Sequence, residues 1–399
     1  MTQLGDVCTK IGSGATPKGG RDAYRGGDYV LIRSQNILDW SFSDNGLARI
    51  NADQASKLDS VAVMPGDVLL NITGDSVARA CMAPAHIQNA RINQHVCIIR
   101  PKPAELDSTY ALMELQNRKA TLLQIASSGA TRNALTKHAI ETLDIDLPSL
   151  TEQKKLSAPI DNINRQIACL NRTNGYLLEL LKLEFASKFE TRNHQKKNLG
   201  EAVTLWKKTV KPNTQPDKLW EHYSIPAFDA GAYPSFELGS SIKSGKYTVL
   251  PNSVLVSKLN PTTPRLWIPQ IIDGDNAICS TEFMEYVPNN PVHFGFYCSA
   301  LMQDRFFSYL AAHVTGSTGS RQRVHPTDTL SYKIPTSDPI EIDSYCAFAS
   351  PIIARARIAS LEAKQLTQLR DALLPKLMSG EIDVSKVELP KPPNSHLCG

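Results

Sequence analysis

Two stretches of this chain set arginine among hydroxyls and glycines: SSGATRNAL from Ser127 and TGSTGSRQRV from Thr315. The first offers Thr131 and Arg132, with Lys137 close by. The second offers Thr318, Arg321, Gln322 and Arg323. These types suit nucleic acid, because a guanidinium fork matches a guanine edge, amides match adenine, and hydroxyls serve phosphates. Three polar tips of the same character follow apolar runs. LIRSQNI presents Arg33, Ser34, Gln35 and Asn36, NITGDS presents Asn71 and Thr73, and SKLNPTT presents Lys258 and Asn260. Any one of these residues reads equally well as a solvated turn. The binding reading rests on the arginine loops as a repeated pair, and sequence does not divide base contacts from phosphate contacts.

Catalytic chemistry finds no comparable support. GSSIKSGKY from Gly239 has five residues between its glycines where a phosphate loop has four, and Tyr247 stands where a Mg²⁺-binding hydroxyl belongs. LNPTTP from Leu259 is not the Asn/Asp-Pro-Pro-aromatic motif of amino-methyltransferases, and no glycine-rich cofactor loop follows a strand. Nine histidines form no HExxH pair. The serines of SSGAT lack a nucleophile elbow. Asp273 and Asp275 flank a glycine and read as a turn. A single-chain nuclease or methyltransferase with divergent motifs is therefore the weaker reading.

The loops belong to a longer repeat, sought first because it decides the architecture. LGDVCTKIGSGATP from Leu4 is answered by LGEAVTLWKKTVKP from Leu199. VMPGDVLLNITGDSVARACMAP from Val63 is answered by VLPNSVLVSKLNPTTPRLWIP from Val249. YALMELQNRKATLLQIA from Tyr110 is answered by HFGFYCSALMQDRFFSYLAA from His293. Runs such as YVLIR, DVLLNI, VCIIRP, SVLVSKL and AICSTEFMEYV read as strands between Pro, Gly and Asn. Helical segments come late in each copy, so each copy is a mixed α+β domain.

A long helix follows each copy. From Thr151, Leu156, Ile160, Ile163, Ile167, Leu170, Asn174, Leu177 and Leu181 alternate spacings of four and three, which is a heptad seam broken once by asparagine. In the second copy Ile352, Ala359, Leu366 and Leu373 recur every seven residues. Pro159 and Pro351 fall at matching places in the two helices. Some 35 residues at about 1.5 Å each give roughly 50 Å, longer than a small domain, so each seam is expected to pair with its duplicate. The expectation is an α+β chain with a pseudo-two-fold internal repeat: two similar globular domains separated by two long antiparallel coiled-coil helices. Its boundaries fall at residues 1–150 and 196–340 for the domains, 151–195 and 341–382 for the helices, and 383–399 for a proline-rich tail. Two duplex-binding domains held this way suit half-sites about one helical turn, roughly 34 Å, apart.

Composition leaves room for this. The 399 residues suit two domains, and 42% hydrophobic with 21% charged residues is ordinary for a globular chain. A net charge of +4 is too mild for a protein that coats nucleic acid indiscriminately, but not for a selective binder. No charged segment leads into an apolar run at the N-terminus, and no window approaches a membrane span. The eight cysteines lack metal-ligand spacing and read as buried small residues in a reducing cytoplasm.

Beyond the residues, the chain resembles a known family. IETLDIDLPSLTEQKKL leading into the first long helix, and LRDALLPKLMSGEIDV from Leu369, are similar to the central and closing regions of specificity subunits of type I restriction-modification systems. LGDVCTKIGSGATP, MPGDVLLNITG and SVLVSKLNP resemble segments of their target recognition domains. The resemblance implies that each domain reads one half of a split double-stranded DNA target and that the helices fix the gap. It implies two modification subunits that carry S-adenosylmethionine and methylate adenine. It further implies restriction subunits using ATP and Mg²⁺, with no cofactor in this chain. A subunit serving a type II-like fused methyltransferase-nuclease, or a coiled-coil nucleic-acid-binding scaffold, would share most of these features.

Overall fold

A computed structural model describes residues 2–17, 24, 26–128, 133–191, 194–316 and 322–387. The chain divides into two compact units. One comprises residues up to Arg165 together with those from Thr367 onward, and the other comprises Gln166–Leu366.

In the first unit an antiparallel sheet runs in the order Cys8–Ser13, Val96–Pro101, Val68–Asn71, Ala80–Met82. Its central strands are buried on both faces, which is why they read as unbroken apolar runs. Val68 and Leu70 point into a core with the helices Ser108–Asn117 and Lys119–Ser127, while Leu69 points into a core with a second sheet. That second sheet orders Ala48–Ile50, Tyr29–Ile32 and Ala90–Ile92, the last two parallel.

The second unit repeats the plan. Val203–Trp206, Phe283–Pro288, Val254–Ser257 and Leu266–Trp267 take the same order with the same antiparallel pairing. Val254 and Val256 face the core of the helices Phe294–Leu301 and Asp304–Ala312, and Leu255 faces the other. The companion sheet again holds one parallel pair, Leu219–Tyr223 with Ala277–Cys279. It is extended at one edge by Lys246–Thr248 and Thr209–Val210. AICSTEFMEYV is thus two strands in two sheets, turned where the Glu282 amide donates to Ser280 Oγ at 3.2 Å.

The long helices are Leu150–Phe185, ending in a π-turn Ala186–Glu190, and Pro339–Met378. Both run through their internal prolines, Pro159 and Pro351. The first is pinned at its start by buried Gln153. Its Oε1 accepts the Asp107 amide at 2.8 Å, and its Nε2 donates to the Glu105 and Pro148 carbonyls at 2.9 Å. Along the expected seam Leu156, Ile160, Ile163 and Leu181 are buried, and Ile167, Leu170, Asn174 and Leu177 are half-buried.

Within each unit the two helical segments pack antiparallel. In the first, Leu156 and Ile160 share a core with Leu374 and Leu377, and Arg370 Nη1 donates to Asn164 Oδ1 at 3.1 Å. In the second, Asn174 Nδ2 donates to Ser360 Oγ at 2.8 Å, and Tyr345 donates its hydroxyl to the Leu181 carbonyl at 3.1 Å. The seam of the second helix differs from its sequence reading. The buried ridge runs through Ala349, Ile353, Ala356, Ala363, Arg370, Leu374 and Leu377, with Ala359 also inside. Ile352, Leu366 and Leu373 flank this ridge and are only half-buried. The ridge is built from alanines that let the partner helix approach, so the larger side chains beside it gave the misleading period.

Candidate nucleic-acid interface

Each arginine loop is closed by backbone hydrogen bonds, and the two closures correspond bond for bond. In the first unit the chain leaves Val68–Asn71 and continues through Ile72, Thr73 and Gly74. The Ile72 amide donates to the His95 carbonyl at 3.0 Å, the Leu135 amide to the Ile72 carbonyl at 2.8 Å, and the Gly74 amide to the Asn133 carbonyl at 3.3 Å. Thr73 and Ala134 face each other as an isolated antiparallel bridge. In the second unit the Lys258 amide donates to the Glu282 carbonyl at 2.9 Å, the Val324 amide to the Lys258 carbonyl at 3.1 Å, and the Asn260 amide to the Gln322 carbonyl at 3.0 Å. Leu259 and Arg323 form the matching bridge. Such clamps satisfy buried backbone groups at the loop's base and leave its tip to carry side chains. Thr131, Arg132, Thr318 and Arg321 lie outside the described residues.

The side chains on the two clamps are unlike. Thr73 Oγ1 lies 2.5 Å from His95 Nδ1, and Gln94 Nε2 lies 3.1 Å from His95 Nε2. In the second unit Glu282 occupies the place of His95. Its carboxylate accepts from Arg323 Nε at 3.0 Å and Nη2 at 3.2 Å. That pairing raises the Arg323 pKa above its ordinary value, through the hydrogen bonds first and the charge second. Arg323 is exposed but engaged, whereas half-buried Gln322 gives its carbonyl to the clamp. Half-buried Lys258 stands on the clamp strand, and Asn260 adopts a left-handed φ of 48° at the turn.

The first unit adds a second tip. After Tyr29–Ile32 the chain makes a 3-10 turn, Ser34–Asn36. Gly46, at φ 65°, turns its carbonyl toward the tip, where it accepts from Arg33 Nη2 at 2.7 Å and Gln35 Nε2 at 3.2 Å. A Cβ on Gly46 would come within 2.7 Å of that Gln35 nitrogen. The Arg33 guanidinium also lies over the Tyr24 ring, 5.5 Å from its centroid. Gln35 is exposed at the tip.

Two residues expected at the surface are turned inward. Asn36 is fully buried. Its Oδ1 accepts the Arg33 amide at 3.1 Å, and its Nδ2 donates to the Ser43 carbonyl at 2.9 Å and the Asn45 carbonyl at 3.1 Å. Asn71 is also fully buried, donating Nδ2 to the Ser34 carbonyl at 2.9 Å and to Ser76 Oγ at 3.1 Å. Both therefore hold the tip in place, and Asn71 brings Arg33 and Gln35 alongside the Thr73 clamp. His95, Gln94 and Glu282 were not singled out from sequence, since nothing in their spacing marks them. The second unit replaces the Arg33 tip by a short helix, Ile225–Asp229, capped where Ser224 Oγ accepts the Ala227 amide at 3.2 Å.

Among the described residues no cluster of His, Cys, Asp and Glu is arranged to hold a metal. None of the described helices is long and apolar enough to cross a membrane. Of the described cysteines, all free, only Cys169 is exposed.

Residues 1–177 match the family model described as type I restriction modification DNA specificity domain. The S subunit of a type I restriction-modification system from M. genitalium superposes with a TM-score of 0.55 at 15% identity, covering 94% of this chain and 95% of that one. The HsdS subunit from Thermoanaerobacter tengcongensis gives a TM-score of 0.35 at 15% identity, over 96% of each chain. The M. genitalium likeness extends over both units and shows a shared fold.

Proposed function

We propose that this chain, whose residues 1–177 match the type I restriction modification DNA specificity domain, is a specificity subunit of that family and reads a bipartite DNA sequence, one half with each unit. The observation that carries this reading is the pair of loop clamps: the same three backbone hydrogen bonds in both units, dressed with Thr73 and His95 in one and with Arg323 and Glu282 in the other. Like backbones with unlike side chains suit one docking mode applied to two different base sequences. The antiparallel helical segments set the number of unread bases between the halves.

In this reading the chain is the non-catalytic subunit of a larger assembly in the cytoplasm. Two modification subunits bind it, supply S-adenosylmethionine and methylate adenine. Restriction subunits using ATP and Mg²⁺ complete the complex. This chain contributes position: it holds the duplex so that a target adenine in each half meets a partner's catalytic centre.

The test is deletion of the gene followed by mapping of modified adenine across the host genome. The expected result is loss of methylation at one split motif only, with co-purification of a methyltransferase on the tagged chain. Unchanged methylation in a host whose neighbouring methyltransferase is expressed and active would contradict the proposal.

A further inference from the structure

The companion sheet of the second unit carries lysines at one end of its outer strands. Thr209 pairs with Tyr247 and Val210 with Lys246, and Tyr247 pairs in turn with Cys279. Val210 and Lys246 therefore stand one residue beyond Cys279, level with Ser280, where the chain turns into the Glu282 corner of the loop clamp. Lys211 follows Val210, and the turn at residues 243–245 leads into Lys246. The two segments lie close together, since a Cβ on Gly245 would stand 3.7 Å from the Val210 carbonyl. Lys211, Lys243, Ser244 and Gly245 are all exposed. Lys246 is buried and donates Nζ to Ser244 Oγ at 2.5 Å, which fixes the turn that presents Lys243. Among the described residues neither Lys211 nor Lys243 has an ion-pair partner. Two carboxylates of this sheet and its corner are engaged elsewhere. Glu282 holds Arg323, and Glu237 Oε1 lies 3.1 Å from His222 Nδ1 and accepts from Ser235 Oγ. Lys207 and Lys208 precede Thr209, toward the other end of the strand, where Lys207 lies over the Tyr247 ring at 6.0 Å.

Exposed lysines gathered without counter-charge repel one another and add nothing to stability. A polyanion relieves that repulsion and releases its own counterions on binding. An ammonium on a flexible stem meets phosphate oxygens as a point charge and carries no base code. We propose that Lys211 and Lys243 form a phosphate-binding rim beside the second loop clamp, which grips the DNA backbone at the flank of the second half-site. That role rests on the reading of this chain as a DNA specificity subunit, and it adds where the backbone is held. The two outer strands, Lys246–Thr248 and Thr209–Val210, then have a use of their own: they carry the rim out to the side of the clamp.

The test uses the full chain with the methyltransferase that co-purifies on it. The probes are a labelled duplex carrying the split motif mapped by methylation and a second duplex with the second half scrambled. Fluorescence anisotropy reads affinity across a salt series. Lys211→Gln combined with Lys243→Gln is expected to make the slope of log K against log salt shallower by about 2. Over about 50–200 mM salt the unaltered complex should then lose roughly tenfold more affinity than the variant. The preferred bases and the melting temperature should stay as they were, and Lys211→Arg combined with Lys243→Arg should keep the original slope. An unchanged slope, an altered base preference, or an equal loss from Lys207→Gln combined with Lys208→Gln would overturn the rim. Equal binding of the two duplexes by the unaltered complex would overturn the specificity reading and the rim with it.

Discussion

Asn71 and Gln35 sit beside one another in the first unit and do opposite work. Asn71 spends its amide on the Ser34 carbonyl and Ser76, while Gln35 keeps an exposed face. Asn71→Ala should cost about 1–3 kcal/mol in a thermal or urea melt, because it strips a donor from a buried acceptor. Gln35→Ala should change stability by less than about 0.5 kcal/mol and weaken only recognition of the first half-site. A turn closed by Asp67 in the first unit is closed by Glu285 in the second. Asp67 Oδ2 accepts the Met64 amide at 2.7 Å and is paired with Arg100. Glu285 Oε1 accepts the Leu250 amide at 2.6 Å, but its Oε2 is buried with no partner among the described residues. Burial accordingly pushes the Glu285 pKa up to about 7. A carboxyl raised in the folded state stabilises fully below its unfolded pKa, and that stability is lost as pH rises through about 7. Between pH 5 and 8 the wild-type chain should therefore lose roughly 2–3 kcal/mol more than Glu285→Gln, measured by parallel melts. Sequence made the residue types at the tips legible but not their direction. Short amides serve turn backbones as readily as ligands, and that choice depends on neighbours such as Ser34 and Ser43 that are distant or unmarked.

At the scale of elements, the central strands were readable as unbroken apolar runs and the first seam as a periodic stripe. Val68–Asn71 and Val254–Ser257 are buried on both faces, and Leu156 to Leu181 keeps one apolar stripe. The second seam was not, because Ala349, Ala356, Ala363 and Arg370 fill its ridge. Arginine is admitted there by stacking over Trp40, 4.9 Å from the ring centroid, and by donating to Asn164. Both seams set a test of spacing. Removing seven residues between Ile163 and Leu181 takes out two turns and leaves the remaining seam facing an unmatched stretch. That variant should assemble poorly. Removing seven from the second helix as well, between Ile353 and Arg370, should restore assembly and shorten the target gap by about 10 Å, or about three base pairs. Methylation mapping reads the gap directly, and an unchanged gap in the double deletion would remove the helices from that role.

In the whole molecule two units share a backbone plan and differ in what they present. The order of strands, the parallel pair in each companion sheet, and the paired clamps repeat. The Arg33 tip and the Arg323–Glu282 pair do not. Repetition was legible in the order of sequence motifs. The clamps were not, since each joins segments far apart in the chain through backbone groups that carry no sequence signal. The most direct test is to map methylated adenine in hosts lacking the native gene and supplied with the wild-type chain, Arg132→Ala, or Arg321→Ala. Arg132→Ala is expected to relax or lose bases in one half of the motif, Arg321→Ala to do so in the other, and the gap to stay fixed. Damage to both halves from either substitution would contradict reading by two separate units.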